Sequence, residues 1–432
     1  MHMDKVFPGT PPMGWNSWDC YGASVREDEV LANARFMADK LLKFGWQYVT
    51  VDIQWSEPDA CGTEYRNLPR LCMDEYGRLM PAVNRFPSAA DGRGFKPLAD
   101  AVHAMGLKFG IHILRGIPRQ AVYADCPIKG ADCTARDIAL GESVCPWNMD
   151  MYGVDPNHPG AQAYYDSLLE LYAGWGVDLI KVDDMSHPEY RDGRDYHSGE
   201  ARLIRNAIDR TGREIVFSSS PGMFSLKAAQ DVSELTNIWR ISNDFWDSWR
   251  ALDEQFDLLT QWLPYLRPGH YPDADMIPVG RLSVRSNSDW NRPRDTNFTR
   301  NEQRFLMSLW CIARSPLILG CDMPGMDEFT YSLLTNEYAL AVNQRSTGTR
   351  MIYRRGEAGA WACDTAEGGC IALFNFADAP RAVAVALSEA GFDGAFDAVD
   401  AWNAQPVSCA GGAVCEVLGA HEGTLVRLTY RA

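Results

Sequence analysis

The stretch WGVDLIKVDDMS carries an apolar run that ends on Lys181, Asp183 and Asp184. Formal charge at the end of a buried strand is costly unless it is paired or used. A carboxylate there either caps the next helix, binds a nearby Arg, or does chemistry. Polar groups recur at the ends of other apolar runs: Trp18, Asp52, His112, Ser220, Arg240 with Asp244, and Asp273 with Asp275. Each alone has a structural explanation. Several carboxylates, a Lys and an Arg converging on one mouth would repel one another without a polar ligand. The chain has no Gly-rich phosphate loop, no metal-binding His pair and no Ser with a nearby base. It does have paired carboxylates beside many indoles, namely Trp15, Trp18, Trp55, Trp239, Trp246 and Trp249. Indoles present flat apolar faces to the C–H face of a sugar ring, while Asp, Lys and Arg take its hydroxyls. Two carboxylates flanking a glycosidic bond are what glycoside hydrolysis requires. About half of these indoles are expected to be core.

The elements that must position these groups come from a repeating unit. In SVREDEVLANARFMADKLLKFGWQYVTVDIQW, Ser24 with Glu27 has the spacing of a capping box, and Val30, Ala34, Met37, Ala38 and Leu41 recur at helical spacing. Gly45 stops the helix, and YVTVDI follows as a strand buried on both faces. Helix, glycine and strand recur in FKPLADAVHAMGLKFGIHI, in AQAYYDSLLELYAGWGVDLIKVDD and in GEARLIRNAIDRTGREIVFSSS. With MGWNSW, NIWRIS, DMIPVG and LILGC this makes eight strands. The fold predicted is a (β/α)8 barrel over residues 8–343, with a doubly wound sheet as the alternative. From 345 to 432 short strands without helical periodicity predict an antiparallel β-sandwich. Chemistry in such a barrel gathers at the C-terminal strand ends. The long connections 56–95 and 116–155 are expected to wall a pocket.

The 432 residues carry a net charge of −16, which argues against nucleic acid or an anionic membrane as partner. No run of about 18 uncharged apolar residues is present, so no membrane span is expected. The start, MHMDKVFPGTPPMGW, lacks the basic and apolar regions of a leader, which points to a cytoplasmic protein. The twelve cysteines include no CxxC pair and no zinc spacing, so mostly free thiols are expected. No cofactor or metal is expected. A homo-oligomer is left open.

At these residues the chain resembles glycoside hydrolase family 27, the α-galactosidase-like retaining enzymes. PPMGWNSWDCYG is similar to that family's first strand, LIKVDD to its nucleophile strand and NIWRISNDFWDSW to its acid/base segment. GHYPDADMIPVG and SLWCIARSPLILGCDM resemble its last two barrel strands. The resemblance implies Asp183 as nucleophile and Asp244 as acid/base. It implies sugar contacts at Trp18, Asp52, Lys181, Arg240 and Asp275, with Ile53, His112 and Ser220 also at substrate-binding positions. Where the family's galactosidases carry tandem carboxylates for the hydroxyls at C4 and C6, this chain reads Asp52-Ile53. His112 replaces a usual Tyr, Met185 a Cys that often forms a disulfide, and SSSPG a longer segment. Asp184 stands where a small residue is common and is given no role. The resemblance therefore implies a terminal β-L-arabinopyranosidase, with α-galactosidase as the alternative and a non-catalytic sugar-binding barrel as a remote one.

Overall fold

The computed structural model describes residues 7–186, 196–220, 222–286 and 292–431. The first six residues, read above for a leader, and Pro221 of SSSPG lie outside the described residues. Eight parallel strands form one sheet: β1 (Met13–Asn16), β2 (Tyr48–Val51), β3 (Lys108–Leu114), β4 (Leu179–Asp183), β5 (Val216–Ser219), β6 (Ile238–Arg240), β7 (Tyr271–Asp273) and β8 (Leu317–Leu319). Their order is β7-β6-β5-β4-β3-β2-β1-β8. The two edges meet through a parallel bridge between Ile277 and Leu319, with the Ile277 N–H donating to the Ile318 carbonyl at 2.7 Å. The sheet is thus a closed barrel, the architecture expected for alternating helices and strands.

Two details differ from the sequence reading. The seventh strand is Tyr271–Asp273, ahead of the expected DMIPVG run. Tyr271 N–H and Asp273 C=O both bond toward β6, so residue 272 faces β8, and Pro272 has no N–H to give there. The seam is therefore displaced to Ile277. The helix before β2 runs Glu27–Phe36, and it keeps only half a box: the Glu29 carboxylate accepts the Arg26 N–H at 2.8 Å, while the Arg26 guanidinium has no acceptor to return. Ser24 is instead spent in the preceding turn, donating to the Tyr21 carbonyl.

Period-two alternation builds the interior. Tyr48, Leu179, Val216 and Ile238 form a small apolar cluster with Phe7. Two and four residues further along the same strand faces stand Thr50 and Asp52 on β2, and Lys181 and Asp183 on β4. The intervening Val49, Val51, Phe109, Ile111, Ile180, Val182, Phe217 and Trp239 are buried in the main core. One face of each strand thus runs from apolar to charged toward the C-terminal end.

The connection after β3 folds into a three-stranded antiparallel ribbon of Ile117–Pro118, Ala139–Val144 and Met151–Val154. Beyond the barrel, strands β9 (Thr347–Arg355), β10 (Ala358–Thr365), β11 (Gly368–Asn375), β12 (Arg381–Ala386), β13 (Phe396–Asp400), β14 (Ala413–Leu418) and β15 (Gly423–Tyr430) make two antiparallel sheets. Their orders are β9-β10-β11-β15-β13 and β12-β14. Ile371, Leu373, Val383, Val385, Val414 and Leu428 lie in the apolar core between them. This domain sits on helix Trp249–Trp262: Trp249 stacks on His421 at 3.7 Å, Phe256 meets Trp361 and Phe374, and Arg354 pairs with Asp253 and Asp257. The cysteines are thiols. Among the described residues no helix is long and apolar enough to cross a membrane.

Candidate active site

A cavity of about 410 Å³ opens at the C-terminal ends of the barrel strands. Its wall includes Trp18, Asp52, His112, Lys181, Asp183 and Asp244, which the sequence had singled out from separate segments. The strand ends bring them together.

On one side four charges interlock. Asp52 lies 2.7 Å from His112 Nδ1 through Oδ1 and 3.1 Å from Lys181 Nζ through Oδ2. Asn16 also donates to Oδ2, at 2.7 Å. His112 Nε2 reaches Asp183 Oδ2 at 2.9 Å, so the ring bridges the two carboxylates. Neither ring contact is aligned as a hydrogen bond, and both are ion-pair contacts. Burial opposes the charges on Asp52, His112 and Lys181. The cations His112 and Lys181 nevertheless hold the Asp52 carboxyl well below the usual carboxylate range. Asp52 and Asp183 in turn outweigh burial to raise both Lys181 and His112. The group is stable as ions only because it is mutually paired.

Across the cavity, Arg240 is buried and lies 2.7 Å from Asp275 and 3.1 Å from Asp244. Burial pushes Asp275 up to about 6, with Arg240 pulling the other way and Asp244 adding to the rise. The Phe245 N–H donates to Asp275 at 2.7 Å, tying this strand end to the segment that carries Asp244. Asp244 itself has a side chain 63% exposed, in contrast to Asp183 at 6%. One carboxylate is locked between cations and the other faces the open mouth.

Four candidates are not part of the cavity wall: Arg240 and Asp275, buried behind Asp244, and Ser220 and Ile53. Ser220 is fully buried, and its hydroxyl has no hydrogen-bond partner among the described residues. Ile53 is buried in an apolar cluster with Leu114, Cys145 and Met151, on which Trp18 and Tyr65 pack. Gln54 turns away as well: its amide donates to Asp150 at 2.6 Å. Among the indoles, Trp18 and Trp246 line the cavity, whereas Trp15, Trp55 and Trp239 are core.

The sequence reading missed several wall residues. Tyr65 stacks on Trp18 at 5.7 Å and meets Trp147 at 5.3 Å, forming an aromatic side to the cavity. They come from the long connections 56–95 and 116–155, which carried the expectation of pocket walls without indicating which side chains. Asp19 was also passed over. It is buried, and its carboxyl is pushed far up by burial, then by Asp275. Gly320 at the end of β8 has no room for a side chain because a Cβ would strike the Asp19 carboxyl. Among the described residues no group of three His, Cys, Asp or Glu side chains is arranged to hold a metal ion.

A (β/α)8 barrel whose strand ends converge carboxylates, a Lys, a His and aromatic rings on one cavity has the parts of a glycoside hydrolase site. The family model described as alpha galactosidase A matches residues 10–157 and 152–345, and the chain belongs to that family, glycoside hydrolase family 27. Among solved structures, it is similar to a β-L-arabinopyranosidase of that family from Geobacillus stearothermophilus in complex with arabinose. The two share 49% identity and a TM-score of 0.95, over 100% of each chain. It is also 26% identical to alpha-galactosidase 2 of Arabidopsis thaliana, over 100% of this chain and 92% of the relative. An alpha-galactosidase of Cyamopsis tetragonoloba is 27% identical over 98% of this chain and 87% of the relative.

Proposed function

We propose that this chain is a retaining exo-glycosidase that removes terminal β-L-arabinopyranosyl residues. Asp183 is the nucleophile. Lys181 and His112 surround it with positive charge, and it attacks the anomeric carbon to form a glycosyl ester. Asp244, at the open side of the cavity, donates a proton to the departing oxygen and then takes one from the incoming water. Two displacements at the same carbon retain its configuration. Trp18 offers an apolar face to the ring and Asp52 takes a hydroxyl, while Arg240 and Asp275, behind the wall, hold Asp244 and its segment toward the sugar. Ile53 and Ser220 act from behind the wall, shaping it without touching the sugar's charged partners.

The observation that carries the choice of sugar is the environment of position 53. β-L-Arabinopyranose is α-D-galactopyranose without its CH2OH group. Ile53 belongs to an apolar cluster and offers no acceptor for a hydroxyl at C6. Gln54, the neighbouring side chain that could have replaced a carboxylate, is occupied by Asp150. Trp18 and Tyr65 pack over this cluster, so no acceptor reaches the cavity from position 53, and a galactoside would leave its C6 hydroxyl without that partner, at about 1–3 kcal/mol. The Geobacillus stearothermophilus relative, a β-L-arabinopyranosidase by description, supports the same reading.

The test is a comparison of kcat/KM on p-nitrophenyl β-L-arabinopyranoside and p-nitrophenyl α-D-galactopyranoside, with NMR of the first-formed product anomer. We expect a preference for the arabinoside of roughly 30- to 1000-fold and a retained anomer. A preference for the galactoside would make the chain an α-galactosidase, and an inverted product would remove the double displacement.

A further inference from the structure

Asp184 has no role in the mechanism above, yet it is the most heavily anchored residue beside it. It follows Asp183 at the end of β4 and has φ +60°, the left-handed region that side-chain-bearing residues seldom occupy. In that conformation its backbone N–H points back to Asp183 and donates to Oδ1 at 2.5 Å. His112 holds the other oxygen. Both oxygens of the Asp183 carboxylate are thereby fixed, one by an imidazole and one by the amide of the next residue.

The turn is held by Arg115, itself 2% exposed. The Arg115 N–H donates to the Asp183 carbonyl at 3.1 Å, its Nε donates to the Asp184 carbonyl at 2.8 Å, and Nη2 pairs with the Asp184 carboxylate at 2.7 Å. Its remaining terminal nitrogen pairs with buried Glu200 at 2.9 Å. Glu200 in turn accepts from the Tyr165 hydroxyl at 2.7 Å and the Val154 N–H at 3.1 Å. The Cys145 thiol hydrogen-bonds the Asp184 carboxylate, and the next two residues, Pro146 and Trp147, line the cavity. Three anchors on two consecutive residues leave the backbone one conformation. That conformation aims an amide at the carboxylate.

We infer that Asp184 is a positioning residue: with Arg115 it holds the left-handed turn that orients the Asp183 carboxylate for attack. The inference rests on Asp183 being the nucleophile. An Ala is strained in the left-handed conformation and also forfeits the Arg115 pair, so the turn relaxes. Misplacing a reacting group by about 1 Å costs on the order of 100-fold in rate. Glycine accepts φ +60° without strain, and Asn tolerates it while keeping an oxygen for Arg115.

The experiment measures kcat and KM of Asp184→Ala, Asp184→Gly and Asp184→Asn on the preferred aryl glycoside. In parallel, wild-type protein is labelled with a 2-fluoro activated glycoside and the labelled peptide identified by mass. We expect Asp184→Ala to lose roughly 100-fold in kcat with KM within about threefold, and Gly and Asn to recover most of that loss. Asp184→Ser, also costly at positive φ, replaces the Ala protein if that one does not fold. A label on a residue other than Asp183 overturns the nucleophile assignment and this inference with it. With the label on Asp183, three results overturn the positioning role alone. They are native kcat in the Ala and Ser proteins, equal losses in all variants, and a loss that falls on KM, which would make Asp184 a substrate ligand.

Discussion

Replacing Asp52 by Asn leaves the shape of the site almost unchanged and removes one charge from a buried, balanced group of four. In the wild type, Asp52 and Asp183 face Lys181 and His112, at 3.1 Å and 2.7 Å from Asp52. At an effective dielectric constant of about 20, each of those contacts has a gross attraction of about 5–6 kcal/mol, much of it offset by the water the ions gave up. Leaving buried cations without their partner costs about 3–5 kcal/mol net. In a domain this large that is a fall in Tm on the order of 5–10 °C. The pH dependence has a definite sign. Asp52 is held below its ordinary range, so its contribution is fully present above about pH 3.9 and is lost as pH falls further, by about 1.4 kcal/mol per pH unit. His112 is raised, so its share is present below about pH 6.5 and is lost as pH rises through its folded-state value. The Tm gap between wild type and Asp52→Asn should therefore be widest at mildly acid to neutral pH and narrow on both sides. Calorimetric scans of both proteins from pH 3 to 9 measure it. A gap under about 2 °C at pH 6, or one that widens below pH 4, would refute the balanced-charge account.

Three further outcomes test the catalytic assignments. Asp183→Ala should abolish turnover in a protein that stays folded but has a lowered Tm, since it too leaves His112 unpaired, and added azide should restore part of the turnover as a glycosyl azide of inverted configuration; near-native activity would mean that another strand supplies the nucleophile. Asp244→Ala should slow alkyl and sugar glycosides far more than aryl glycosides with good leaving groups, since only poor leaving groups need the proton. Asp247, held by Arg294 at 2.7 Å and by the Asn297 N–H at 2.6 Å, is not free to replace it, so equal losses on both substrate classes would discredit the assignment. Ile53→Asp should shift the galactoside-to-arabinoside ratio of kcat/KM upward by roughly 30- to 1000-fold, and should lower Tm because the new carboxylate replaces an apolar side chain beside Leu114, Cys145 and Met151. An unchanged ratio would show that position 53 does not read C6.

The barrel was legible because its strands are continuous apolar runs that end on charge, and because several of its helical segments stop at a glycine, as at Gly45, Gly176 and Gly212. The seventh strand was misplaced because Pro272 in Tyr271–Asp273 argues against a strand on propensity, and only the closed ring shows that the missing N–H falls at the seam. In the site, residues fixed to strand ends could be placed by counting. Tyr65 and Trp147 could not, since irregular connections have no period. The surroundings of Ile53 were equally hidden: Cys145 and Met151 reach it from a ribbon nearly a hundred residues away, and no local pattern signals that contact. Ser220 shows the converse limit, because a strand-end position alone did not guarantee a place on the cavity wall.

The seam between the two domains bears on how this chain can change. Helix Trp249–Trp262 carries the sandwich on Trp249, Phe256 and the acidic partners of Arg354, and its first residue follows closely on the segment of Asp244 and Trp246. A helix pinned at its start by a stacked His421 fixes the backbone just upstream, where Asp244, the proposed acid/base, stands. The sandwich thus serves the barrel as a buttress. Because Trp361, Phe374 and Leu425 also belong to the core the barrel shares, exchanging the sandwich for another relative's would disturb the Asp244 segment before it reached the strand of Asp183. Such chimeras should keep the ability to form a glycosyl ester from an activated aryl glycoside while losing natural linkages, so the two halves are expected to be inherited and engineered as one piece.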